Sequence, residues 1–149
     1  MTSLADSRGF RVFTAYAAAV VVTYGLALIA ATQWMLGGSL QAGEEVTATQ
    51  RMVVTGRELV GMLPSYGLIV AVAMALALSA AASISHYVPG LRGAGLVAAG
   101  FIGLMGVHFV ARQLFGDAPV AAAGTTGGLL AQGLAGGVGG YLYYRMRRS

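Results

Sequence analysis

The sequence predicts an all-α membrane protein, a four-transmembrane-helix bundle whose sequential helices are antiparallel neighbours, with an amphipathic extracytoplasmic helix between the first and second. Three observations predict it. Of the 149 residues 57% are hydrophobic and only 9% are charged, against roughly 25% charged in a soluble domain, so the chain lacks the polar surface to face water on all sides. Four apolar runs, 13–36, 65–87, 94–115 and 120–144, each reach the roughly 20 residues that a bilayer crossing needs. Six of the nine basic residues, all arginine, fall on one side of the alternating topology these runs define. Residues 1–149 read as one membrane domain, and the lipid bilayer is its first expected partner.

The first run, 13–36, follows a short polar start containing Asp6, Arg8 and Arg11. Its apolar core passes straight through Gly25-Leu26-Ala27, a small-residue pattern that loosely resembles a cleavage site, and is longer than the roughly 7–15 residues of a signal peptide. A retained helix is expected. Residues 37–63 form the longest polar stretch, with Glu44, Glu45, Arg51, Arg57 and Glu58. Val46, Val53 and Val60 recur every seven, beside Met52, Leu59 and Leu63, as on a half-buried amphipathic helix. It either lies on the membrane or extends the next helix outward. Pro64 then marks a joint, because proline suits a first turn and disrupts a helix interior.

The second run, 65–87, ends at Pro89-Gly90, and the third, 94–115, ends at Gly116-Asp117-Ala118-Pro119, both strong turn signals. The short connections place neighbouring helices antiparallel and adjacent. In the fourth run, 120–144, every fourth residue is small: Ala123, Gly127, Ala131, Ala135 and Gly139. On a helix these positions form one smooth groove, a glycine-zipper face for close packing. Gly124, Gly128, Gln132, Gly136 and Gly140 form a second row beside it. In water so many glycines would oppose a helix, each costing about 1 kcal/mol against alanine, but in lipid the backbone must bond to itself. Similar rows recur in the other runs, such as Gly67, Ala71, Ala75, Ser79 and Ser83.

With the N-terminus inside, Arg8, Arg11, Arg92, Arg145, Arg147 and Arg148 are cytoplasmic, and Arg51, Arg57 and Arg112 are opposite, offset by Glu44, Glu45, Glu58 and Asp117. The positive-inside rule therefore puts both ends in the cytoplasm. Trp34 and Tyr66 on the outside, and Tyr141, Tyr143 and Tyr144 on the inside, suit interfacial aromatic belts. Arginine without lysine and the alanine–glycine bias point to a bacterial inner membrane.

Polar residues within the spans are the candidates for chemistry. His108 and Arg112, four apart, share a face near the outer end of the third run, with Gln33 and Glu58 as partners at that level. Together they are the candidate polar pocket, for an anionic lipid, a quinone headgroup or a small solute. The competing reading is that Arg112 reaches to the interface and pairs with a loop carboxylate. Gln132 is expected to bond across to another helix, whereas Thr23, Ser79, Ser83 and Ser85 can bond the preceding turn. His86 and His108 stand about 20 Å apart in depth and do not suit one haem.

Absences restrict function. Without cysteine there is no disulfide exchange or thiolate chemistry, and no Asp or Glu falls inside the four apolar cores, which disfavours a proton-coupled carrier. No nucleotide-binding, zinc-protease or serine-hydrolase motif occurs, and the charge pattern does not suit nucleic acid. No cofactor or metal is expected and the chain is not expected to be an enzyme. A structural or accessory subunit, self-associating or docked in a larger membrane complex, is the expected function. The alternatives are an oligomeric channel or small-solute carrier lined by Gln132 and the His108–Arg112 face, and a lipid-, quinone- or haem-binding subunit.

Overall fold

In the computed structural model, which describes residues 3–87, 89–116 and 121–148, regular structure is entirely helical. Five α-helices follow in order: α1 (Ser3–Gln41), α2 (Ala48–Gly61), α3 (Tyr66–Ile84), α4 (Arg92–Phe115) and α5 (Thr126–Arg148). Short 3₁₀ turns at Pro89–Leu91 and Ala121–Gly124 lead into α4 and α5. Three helices are long and apolar enough to cross a bilayer: Arg8–Gln41, Tyr66–Ile84 and Pro89–Leu114. The sequence predicted four. α5 is long, but glycine replaces leucine along it and three arginines close it, so its apolar character is diluted.

α5 lies between α1 and α4, antiparallel to both. Along α4 its glycines bring the two backbones together. A β-carbon on Gly136 would run into the carbonyl oxygen of Gly100, one on Gly100 into that of Gly136, and one on Gly140 into that of Leu96. Along α1, Gly139 abuts Ala19 and Thr23, and Gly127 lies under the Trp34 ring. α3 packs on the other side of α4, where Gly103 admits the methyl of Ala77. It also touches α1, where the Tyr16 hydroxyl donates to the Ala71 carbonyl at 2.6 Å. The helices thus follow in space as α3, α4, α5 and α1, and the α1–α3 contact closes the ring. The start of α1, the end of α5 and the 3₁₀ turn before α4 lie at one end of the bundle; α2 and the 3₁₀ turn before α5 lie at the other.

Local chemistry sets the helix ends. α1 runs past both predicted bounds, through Gly37 and Gly38, and stops where Gly43 takes φ +88°. There the Gly43 and Glu44 N–H groups return to the carbonyls of Leu40 and Ser39, the Schellman pattern that satisfies terminal carbonyls. α5 begins later than predicted because Thr125 caps it: its Oγ1 accepts from the Gly128 N–H at 3.1 Å. Asp117, Ala118, Pro119 and Val120, assigned to the turn and the start of the last run, lie outside the described residues, as does Val88.

α2 departs from expectation in which face it turns to its neighbour. Thr47 and Gln50 form a reciprocal capping box at its start. Of the stripe predicted to be half-buried, Val46 and Leu59 are half-buried, whereas Val53 and Val60 point outward with Met52 and Leu63. The face toward α1 is mixed. Arg51 Nη1 donates to Gln33 Oε1 at 2.7 Å, and the Gln33 amide donates to Thr55 Oγ1 at 3.2 Å. The Tyr24 hydroxyl donates to the Leu59 carbonyl at 2.7 Å. Polar groups of α1 draw the polar face of α2 toward the bundle, leaving Val53 and Val60 outside.

Candidate functional site

The buried polar centre of the molecule is built on Tyr66, the first residue of α3. Ser65 and the bend after α2 aim its ring between α1, α4 and α5, where it is 2% exposed. A buried phenol needs a hydrogen-bond partner, and Tyr66 has two neighbours. Its hydroxyl donates to Gln132 Oε1 at 2.8 Å and lies 3.2 Å from His108 Nε2. The Gln132 amide nitrogen donates to the Ala27 carbonyl at 2.9 Å. His108 Nδ1 lies 2.8 Å from the Leu104 carbonyl one turn back. The Tyr66 ring meets the imidazole edge-on at 5.7 Å and tilts against Tyr24 at 6.0 Å. One continuous polar chain therefore links α1, α3, α4 and α5, with His108 and Gln132 exposed by no more than 1%.

The four residues expected to form one polar pocket lie in four places. His108 is in this chain. Arg112, a turn further along α4, is exposed and donates from Nη1 to the Gly124 carbonyl at 3.2 Å, so it satisfies the turn before α5 and does not face His108. Gln33 is held between Arg51 and Thr55 at the α1–α2 contact. Glu58 lines a cavity of about 160 Å³ with Leu28, Thr32, Met62 and Ala122. Four-residue spacing put His108 and Arg112 on one face, but the arginine is long enough to turn away to the Gly124 carbonyl.

The residues expected to pack α5 are distributed between its two neighbours. Ala123 and Ala135 are buried, Ala131 is half-buried, Gly127 meets Trp34, Gly139 meets Thr23, and Gln132 lies in the polar chain. Thr23 does not bond its preceding turn as expected. Its Oγ1 is buried without a hydrogen-bond partner, pressed against Gly139. Ser83 and Ser85 do bond back, to the carbonyls of Ser79 and Ala81.

Tyr66 is the functional-site residue that sequence reasoning misplaced. Its position at a span end suggested an aromatic belt, but it turns inward. The available signal was the joint at Pro64-Ser65: a helix starting there can direct its first side chain back across the bundle, and two polar residues at membrane depth, His108 and Gln132, lacked a partner.

Chemically, the chain holds an imidazole, a phenol and a carboxamide in contact, a set able to carry or share a proton. Both imidazole nitrogens are within hydrogen-bond distance of protein groups. Among the described residues no cluster of three or more histidine, aspartate or glutamate side chains is arranged to hold a metal. No protein-family model, curated protein or solved structure matches this chain.

Proposed function

We propose that this protein is a four-span inner-membrane protein of bacterial type, with both ends in the cytoplasm, and that it serves as a structural or accessory subunit docking through a lipid-facing surface. α5 is taken as the fourth span because it runs the length of the bundle between α1 and α4, where its glycines, not its hydropathy, decide its place. α2 is taken as the extracytoplasmic helix. Support for the orientation comes from arginine: Arg8, Arg11, Arg92, Arg145, Arg147 and Arg148 belong to helix ends at one end of the bundle. There Arg147 and Arg148 lie 5.4 Å and 5.3 Å over the rings of Tyr143 and Tyr144, an arrangement suited to a membrane boundary.

The observation that carries the accessory reading is the outward side of α3 and α4. Two shallow grooves of about 380 and 420 Å³ flank their contact. Ala77 and Gly103 border both, with Gly95, Ala98 and Ala99 in one and Gly106 in the other. A β-carbon on Gly95 or Gly106 would meet nothing within 4 Å. Small residues left uncovered on lipid-facing helices let another helix approach closely. The α5 rows, by contrast, are already used within the chain.

Native mass spectrometry on protein extracted with its surrounding lipid tests this reading. The expected result is a defined complex, with a second copy or another membrane protein, that is lost when Gly95→Leu and Ala98→Leu fill the groove while helix content is unchanged. A chain that leaves the native membrane only as a lipid-bearing monomer would sink it. The channel and carrier reading has less support, because Gln132 and His108 bond within one chain, and Arg112 faces elsewhere.

A further inference from the structure

The polar chain through Tyr66 lacks one hydrogen. Three of its contacts need a proton between their heavy atoms: His108 Nδ1 to the Leu104 carbonyl, His108 Nε2 to the Tyr66 oxygen, and the Tyr66 oxygen to Gln132 Oε1. A neutral imidazole carries one N–H and a phenol one O–H. The fourth contact, from Gln132 to Ala27, uses the amide's own hydrogen. Two hydrogens must therefore serve three contacts.

Rearrangement does not remove the deficit. If Tyr66 donates to Gln132 and Nδ1 donates to Leu104, the bare Nε2 faces the phenol oxygen. Turning the hydroxyl to Nε2 sets two oxygens against each other at 2.8 Å. Moving the imidazole proton to Nε2 leaves bare Nδ1 against the Leu104 carbonyl at 2.8 Å. Flipping the Gln132 amide sets its oxygen against the Ala27 carbonyl at 2.9 Å. With the imidazole in this orientation, every neutral arrangement leaves one of the three contacts without a hydrogen of its own, a shortfall that buried polar groups avoid.

We propose that His108 is a proton-binding site, and that the imidazolium, donating from Nδ1 to Leu104 and from Nε2 to Tyr66 while Tyr66 donates to Gln132, is the form that closes this end of the bundle. One proton adds to the imidazole lone pair and no other bond changes. The side chains facing the imidazolium are neutral, and the nearest arginine on its own helix is turned away. Tyr66 on α3 accepts its N–H; Tyr24 on α1 stands behind Tyr66; α5 offers only the neutral Gln132 here. Arg112 on α4 is turned to Gly124. Glu58 on α2 lines a cavity with Leu28 and Met62 whose lining includes neither His108 nor Tyr66. Release of the proton restores one repulsive contact and loosens α1, α3, α4 and α5 from each other at that end.

The test is the ring-nitrogen spectrum of ¹⁵N-histidine-labelled protein in lipid bilayers between about pH 5 and 8, with His86→Gln leaving His108 as the single signal. The expected result is a doubly protonated ring that loses one proton as pH rises, and, in a second sample labelled with ¹⁵N in the glutamine side chains, a Gln132 amide that moves at the same midpoint. Tyr66→Phe, which takes away the acceptor of Nε2–H, is expected to weaken proton affinity about tenfold. A ring with one bare nitrogen at every pH, or a midpoint that Tyr66→Phe leaves unmoved, would overturn the proposal. The wild-type spectrum decides the matter even if the variant folds poorly.

Discussion

The Tyr66 hydroxyl is a single group on which two others depend. Tyr66→Phe keeps the ring, and so the packing against Tyr24 and His108, but strips the partner from Gln132 Oε1 and His108 Nε2. Leaving buried polar groups unsatisfied costs about 1–3 kcal/mol in soluble proteins. In membrane helices, where the separated state also finds partners, interhelical hydrogen bonds average nearer 0.6 kcal/mol and reach about 1.7. We expect Tyr66→Phe to lower stability by about 1–2 kcal/mol, read by reversible unfolding in mixed micelles. A cycle with Gln132→Leu should show a coupling of about 0.5–1.5 kcal/mol. Strict additivity would mean that the hydroxyl and the amide do not act together. His108 and Gln132 were legible as outliers because polar residues at membrane depth are rare. Tyr66 was not, since a tyrosine at a span end suits the interface equally well and only the bend at Ser65 decides which way it faces.

Among the helices, α5 shows what sequence can and cannot convey. Its small-residue rows announced close packing, yet four-residue rows occur in every run of this chain, and periodicity alone does not assign partners. The backbone contacts do: Gly100, Gly136 and Gly140 mark the α4–α5 seam, and Gly127 and Gly139 the α1–α5 seam. Glycines elsewhere, such as Gly38, have open space where a β-carbon would be. The two kinds should respond in opposite directions to alanine. Gly100→Ala and Gly136→Ala force apart backbones already in contact, and we expect losses of about 1–3 kcal/mol each, the usual cost of overpacking. Gly38→Ala adds helix propensity in the overhanging end of α1 without a clash and should gain about 0.5–1 kcal/mol. Thermal unfolding of the three variants side by side checks the contrast. Losses of equal size in all three would mean that the glycines serve flexibility and not proximity. The overhang itself was not legible: Gly37-Gly38 read as a helix end, whereas the chain carries the helix on to Gly43, the first glycine with positive φ.

At the scale of the whole molecule, the helix registers fix depth. His108 is sixteen residues along α4 from Arg92, Gln132 sixteen before Arg148, and Ala27 sixteen after Arg11, so each stands about 24 Å from the arginine-bearing end at 1.5 Å per residue. A hydrocarbon core about 30 Å thick that starts at those arginines would end roughly one turn beyond the Tyr66 chain, at the level of Arg112. Trp34 over Gly127 falls in the same zone, and the last turns of α1 lie outside. On this placement α5 occupies the same interval as α1 and α4 although its composition does not announce a span. The chain's lack of cysteine makes the placement directly measurable by introducing single thiols. Thr49→Cys on α2 should react with a membrane-impermeant maleimide in intact cells, and His86→Cys, at the α3–α4 turn, only after permeabilisation. Leu134→Cys is the decisive site, because its side chain is 64% exposed on α5 yet would face lipid, so it should resist labelling in both conditions. Labelling of Leu134→Cys as readily as Thr49→Cys in intact cells would place α5 outside the bilayer, leaving three spans and the two chain ends on opposite sides of the membrane.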